Sequence, residues 1–187
     1  MTVSTLGGPQ QVTAWDGAEV ATFDMDRDDI LVVQRPPVPG IADAIQSVCA
    51  LSCRYTVTEA VAEVHASEAL GALRIVHPVL AADIVGLSRS FLGQFDVDEA
   101  SLRVEVVDKQ SCPDFHCDNV RVRLVTTYYG PTTEYVRIDS PKDVQVAPLF
   151  ALVFLKGQKH RTHGDAVHHR SPDVPPGSKR LCVVLDF

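Results

Sequence analysis

The sequence predicts an α+β protein, with helices concentrated in residues 1–100 and a β-sandwich or barrel after them. Up to Phe95, apolar residues recur at spacings of three and four, the period of an amphipathic helix. From Ser101 the spacing falls to two, the period of a half-buried strand. Stretches rich in Pro, Gly, Ser and Thr then cut the second half into short segments, as strands joined by turns require.

Residues 1–28 are rich in Gly, Thr, Gln and Asp without lasting periodicity and are expected to form an irregular lead-in. Ile30, Leu31, Val32 and Val33 make a short apolar strand, stopped by Pro36, Pro37, Pro39 and Gly40. Proline lacks an amide donor and disfavours helix in the residue before it, so residues 35–40 read as a connector. Residues 41–51 follow as a helix with Ile41, Ile45, Val48 and Leu51 on one side. Further helices are expected over 57–70 and 80–95, the second aligning Leu80, Ile84, Leu87 and Phe91, with a strand over 73–76 between them.

In the second half, Leu102, Val104 and Val106 alternate with Arg103, Glu105 and Val107. Strands are also expected over 114–118, 121–128, 134–138, 149–156, 167–170 and 180–187, with turns over 130–133 and 172–178. A chain of 187 residues suits one domain over 1–187, in which 1–100 is lead-in and helical support and 101–187 the β core.

Seventeen basic residues against 24 acidic ones give a net charge of −7, which argues against a nucleic acid or an anionic membrane as partner. No basic start followed by an apolar stretch opens the chain, and no apolar run has the length of a membrane span. Five cysteines, an odd number without an export signal, point to reduced thiols in the cytoplasm. Phosphate-binding Gly-rich loops, Gly-x-Ser-x-Gly elbows and His-Glu-x-x-His helices are absent, so common nucleotide and hydrolase chemistries lack a foothold. Nothing in the sequence reports the oligomeric state.

The chemistry concentrates in Cys112-Pro113-Asp114-Phe115-His116-Cys117-Asp118-Asn119. His116 and Asp118 are two apart, so on a strand they share a face and can offer adjacent ligands to a divalent metal. A third ligand is supplied by the later strand bearing His168 and His169. Two histidines and one carboxylate form the facial triad of non-haem Fe(II) enzymes, which keeps coordination positions open. Eleven residues beyond His169 stands Arg180, whose planar fork suits a carboxylate; His168 and Lys179 share the same separation, and His169 with Arg180 is the preferred register.

Taken together, His116, Asp118, His169 and Arg180 resemble the His-x-Asp…His…Arg pattern of the Fe(II)/2-oxoglutarate-dependent oxygenases. More narrowly, residues 112–118, 123–131 and 169–172, with Leu155-Lys156-Gly157 and Arg180-Leu181, resemble domain-of-unknown-function family 1826, which brings no established activity. The resemblance implies a double-stranded β-helix, a jelly-roll or cupin-like barrel in the C-terminal half buttressed by N-terminal helices. It implies Fe(II) held by His116, Asp118 and His169, with 2-oxoglutarate as cosubstrate gripped by Arg180, and dioxygen and a small-molecule or peptide-like substrate as partners. Tyr128 is then a candidate hydroxyl donor to the cosubstrate, the alternative being a barrel aromatic with a solvated hydroxyl. Asn119, Arg121 and Arg123 are candidate supports or substrate contacts.

Two other readings of the same residues stand beside this one. Cys112 shares the strand face of His116 and Asp118, so Cys112, His116, Asp118 and His169 could hold zinc in a non-catalytic protein of bacterial metal homeostasis. A cupin-type metalloenzyme that does without 2-oxoglutarate is the other. His160 and His163 are expected on a solvated loop, and His65, His77, Cys49 and Cys53 in structural roles.

Overall fold

The computed structural model describes residues 10–11, 23–45 and 47–187. Its strands are β1 (Gln10–Gln11), β2 (Ile30–Gln34), β3 (Leu51–Val57), β4 (Ala100–Val107), β5 (Val122–Tyr129), β6 (Glu134–Arg137), β7 (Gln145–Val146), β8 (Leu152–Lys156), β9 (Val167–Arg170) and β10 (Arg180–Asp186). The helices are α1 (Ile41–Ile45), α2 (Ala62–Ala72), entered through a 3₁₀ turn at Glu59–Val61, and α3 (Pro78–Phe95). A seven-stranded sheet runs β1-β2-β8-β5-β10-β4-β3 and a three-stranded sheet β7-β6-β9. Every pairing is antiparallel except β1 with β2.

The large sheet buries both faces at its centre, which explains the unbroken apolar run of β10. Leu102, Val104, Leu124, Leu181, Val183 and Leu185 pack on one side against Leu80, Ile84, Leu87 and Phe91 of α3 and against α2. On the other side Val125, Val153, Leu155 and Val184 meet Val167 and Tyr135 of the small sheet. Period-two alternation thus sorts each strand of the large sheet into a helix-facing and an inter-sheet set. Among the described residues, no helix is long and apolar enough to cross a membrane.

Helix α3 has the expected buried face, and its start is fixed chemically. Pro78 occupies the first turn, and His77 Nδ1 accepts the Leu80 amide at 3.0 Å. His77 Nε2 lies 2.8 Å from the Pro39 carbonyl, which sets the tautomer: Nε2 donates and Nδ1 accepts.

Several expectations are corrected. The helix expected over 41–51 stops at Ile45, and Leu51–Val57 is the edge strand β3, paired along its length with β4. Cys53, Tyr55 and Val57 supply its core-facing side, a period-two signal hidden inside helix-like spacing. The strand expected over 73–76 is a helix terminus. Arg74 takes φ 58°, its amide reaches Gly71, and the Ile75 amide closes on Leu70 at 2.8 Å, a Schellman ending. Residues 114–118 form no ladder; only His116 pairs, in an isolated bridge with His169. Most of the lead-in expected over 1–28 lies outside the described residues. Residues 1–100 also contribute β1, β2 and β3 to the large sheet, besides helices.

Candidate metal centre

The segment between β4 and β5 is held to β9 by backbone bonds. His116 and His169 exchange both amide–carbonyl hydrogen bonds, at 3.0 and 2.9 Å, and the Ser171 amide donates to the Cys112 carbonyl at 3.1 Å. This antiparallel exchange sets the two histidines directly opposite each other, with ring centroids 4.7 Å apart. From the far side the chain after β8 grips the same segment: Gly157, Gln158 and Lys159 donate backbone amides to Arg121, Asp118 and Val120. Gly157 is required there because a Cβ would sit 2.1 Å from the Val120 carbonyl oxygen.

These bonds bring His116, Asp118 and His169 together, one nitrogen or oxygen of each within 4.8 Å of the others. His116 Nδ1 lies 2.9 Å from the Asp114 carbonyl and donates to it, which leaves the lone pair on Nε2, 3.5 Å from Asp118 Oδ1. Asp118 Oδ2 is 3.0 Å from His169 Nε2, yet it is buried without a hydrogen bond. Oδ1 is taken by Arg123 Nη1 at 2.5 Å, and the same guanidinium reaches Asp186 at 2.6 Å. A carboxylate oxygen buried against imidazole nitrogens of two histidines is a donor set that a cation satisfies.

The ionisation states agree. Burial holds the His169 imidazole below the ordinary histidine range despite the adjacent Asp118, so its neutral form prevails. Burial pushes the Asp118 carboxyl up, but His169, Arg123 and His116 outweigh it and hold the group below its usual value. A carboxylate and a neutral imidazole are the ligand forms of both residues. A divalent ion therefore fits the residues present.

His116 and His169 line a pocket together with Arg180, Glu105, Cys182 and Arg103. Arg180 is 3 % exposed; its Nη2 donates to Thr127 Oγ1 at 3.2 Å and Thr133 Oγ1 at 3.0 Å, and its Nε has no partner. No carboxylate of the described residues pairs with it. Gly130, at φ 81°, permits the approach of this strand end, since a Cβ would lie 2.0 Å from the Lys179 carbonyl oxygen.

The other candidates are placed as follows. His168 points away from the pocket and binds Asp165 at 2.7 Å, while Lys179 reaches the Ile45 carbonyl, so the alternative register does not converge. Cys112 lines the pocket but stands outside the 4.8 Å donor group. The Tyr128 expectation is corrected: its hydroxyl donates to Asp83 Oδ2 at 2.5 Å, in a buried network with Arg35 on the helix side of the sheet. Strand alternation sends position 128 to the helices and position 127 to the opposite face, where Thr127 meets Arg180. Asp186, Thr133 and Cys182 were not found from the sequence. Their only signal is same-face spacing from Arg180 along β10 for the two β10 residues, and nothing local marks Thr133.

A largely antiparallel two-sheet protein with a histidine–aspartate–histidine cluster is the class that fold and site define. The chain belongs to the family described as protein of unknown function, DUF1826, whose family model matches residues 16–186. No curated protein matches it. Among solved structures it is similar to a 2OG-Fe(II) oxygenase family oxidoreductase from Burkholderia pseudomallei, at 14 % identity over 96 % of this chain and 95 % of that one, TM-score 0.47. It is also similar to a Pseudomonas putida prolyl-4-hydroxylase, at 14 % identity over 91 % and 97 % of the two chains, TM-score 0.48. A third is the dioxygenase for auxin oxidation 1 from Arabidopsis thaliana in its 2-oxoglutarate complex, at 8 % identity over 91 % and 86 %, TM-score 0.47. Likenesses this distant leave the chemistry to be read from the site's own side chains.

Proposed function

We propose that this protein is an Fe(II)- and 2-oxoglutarate-dependent oxygenase of the hydroxylase type, built on a double-stranded β-helix and acting on a small-molecule or peptide-like substrate. One observation carries the reading: His116 and His169 of the donor group line one pocket with the buried, carboxylate-free Arg180, and Asp118 stands within donor distance of both histidines. A cytoplasmic setting accords with the five free thiols.

His116 and His169 would hold the metal through Nε2 and Asp118 through Oδ2, a two-histidine, one-carboxylate donor set suited to Fe(II). Fe(II), when bound, supplies coordination of the 2-oxo acid and activation of dioxygen. The chain's own groups do the rest. The Asp114 carbonyl keeps the His116 proton on Nδ1, and Arg123 fixes Asp118 so that a single oxygen is offered. Arg180 grips the far carboxylate of the cosubstrate, with the Thr127 and Thr133 hydroxyls accepting from the guanidinium and free to donate onward. Val125 and Val184 line the span between and exclude water.

Anaerobic titration of the Fe(II)-loaded protein with 2-oxoglutarate tests this. A weak visible charge-transfer band and saturable heat of binding are expected. Absence of both removes the oxygenase reading.

A further inference from the structure

Of the arginines lining the pocket, Arg123 binds Asp118 and Asp186, Arg170 binds Glu134, and Arg180 binds Thr127 and Thr133. Arg103 differs. Its Nε is buried without a hydrogen bond, 3.5 Å from Glu105 Oε2, and no hydrogen bond to the other described residues engages the rest of its fork. Glu105 is itself occupied, accepting from the Cys182 thiol at 3.2 Å and the Ser52 hydroxyl at 3.4 Å.

A second feature points the same way. Arg54 of the edge strand β3 is paired in register directly opposite Arg103. Like charges opposed across an antiparallel pair destabilise a sheet. Glu105 offsets one of the two cations, which leaves one positive charge beside the pocket. Arg180 and the histidine–aspartate group are engaged by cosubstrate and metal in the proposed reading, so this charge is left for something else.

Resting on that reading, we infer that Arg103 is the recognition residue for the oxidised substrate and that this substrate carries a carboxylate, seated on the Arg103 fork with Arg54 beside it. A planar, singly charged oxyanion matches a guanidinium through two parallel hydrogen bonds. A phosphate would bring a second charge toward Glu105, which disfavours it. Glu105 acts as a positioning residue that aims Arg103.

The test uses full-length protein loaded with Zn(II), a diamagnetic stand-in, and saturated with 2-oxoglutarate so that Arg180 is filled. It is titrated with straight-chain monocarboxylic acids from acetate to octanoate, with the proteinogenic amino acids, and with the matching primary amides. The ¹⁵N-bound Nε proton of Arg103 is followed by NMR. At least one carboxylate is expected to move that resonance and to bind about tenfold or more tightly than its amide. Arg103→Gln should lose the preference, Arg103→Lys should keep part of it, and retained 2-oxoglutarate binding reports an intact fold in both. Response to amino acids alone identifies an amino-acid substrate; response to plain acids identifies a substrate without the amine. If no acid exceeds its amide, or if the preference survives in Arg103→Gln, the inference is wrong. Failure of 2-oxoglutarate to bind the wild-type protein defeats the oxygenase reading instead, and the same resonance on metal-free protein then still decides the role of Arg103.

Discussion

Arg123 Nη1 stands 2.5 Å from Asp118 Oδ1, while Asp118 Oδ2 is left buried and without a hydrogen bond. One guanidinium, anchored in turn by Asp186, therefore divides the carboxylate into an oxygen committed to the protein and an oxygen available to a ligand.

That division makes Arg123 testable apart from the metal donors. Arg123→Gln leaves Asp118 and Asp186 without their shared cation. Affinity for Mn(II) or Fe(II), read by calorimetry, is expected to fall about tenfold to a hundredfold. Loss of a largely buried ion pair should also cost about 3 kcal/mol of stability, measurable by urea unfolding.

Gly157 sits on the opposite side of the same loop. Gly157→Ala would drive a methyl group to 2.1 Å from the Val120 carbonyl, so the 117–121 backbone must move. The expected result is a stability loss of about 1–3 kcal/mol together with weaker metal binding, since the bond from the Gln158 amide to the Asp118 carbonyl shifts as well. Unchanged metal affinity would show that the loop yields without moving Asp118.

Arg180 and Tyr128 should separate cleanly. Arg180→Gln is expected to weaken 2-oxoglutarate binding at least tenfold while metal affinity stays within about twofold. Tyr128→Phe should leave 2-oxoglutarate affinity unaltered and lower stability by about 1.5–3 kcal/mol, because its hydroxyl serves the buried Asp83 carboxylate. Parallel calorimetric titrations of the two variants decide the matter.

Cys182 gives a pH dependence of definite sign. Burial pushes its thiol up to about 12 from an ordinary 9.0, with Glu105 reinforcing the shift and Arg180 opposing it. Above pH 9 the unfolded chain loses this proton while the folded chain keeps it, so the folded state binds more protons there. The contribution is thus fully present below about 9 and is lost as pH climbs toward about 12. Cys117, pushed up to about 11 chiefly by burial, adds in the same direction. Urea midpoints should fall between pH values of about 8 and about 10.5, and Cys182→Ala should flatten that slope. A midpoint rising over this range would contradict the assignment.

Much of the fold is legible in local periodicity. The helix face of Leu80, Ile84, Leu87 and Phe91, and the alternation in β4, follow from burial on one side, which every such element must satisfy. β3 escaped because an edge strand buries so little of itself that its period-two signal drowns in its neighbours. Residues 114–118 read as a strand in the sequence, but only His116 pairs, and with a single partner.

For the site, the sequence by itself determined which donor types exist and their spacing: His116 and Asp118 two apart, a histidine far along, and an arginine eleven residues after it. It offered His168 and His169 at the same spacing from a cation, with His169 preferred, and it singled out Tyr128 rather than Thr127. Only the tertiary structure decided these, because strand register turns odd from even: the His116–His169 bridge aims position 169 inward, and pairing of β5 with β10 sends Thr127, not Tyr128, to Arg180. Register depends on contacts between distant segments, and a shift by one residue inverts every side chain. The pairing of Arg123 with Asp118 and Asp186, and the opposition of Arg54 and Arg103, are decided by the same long-range ladders.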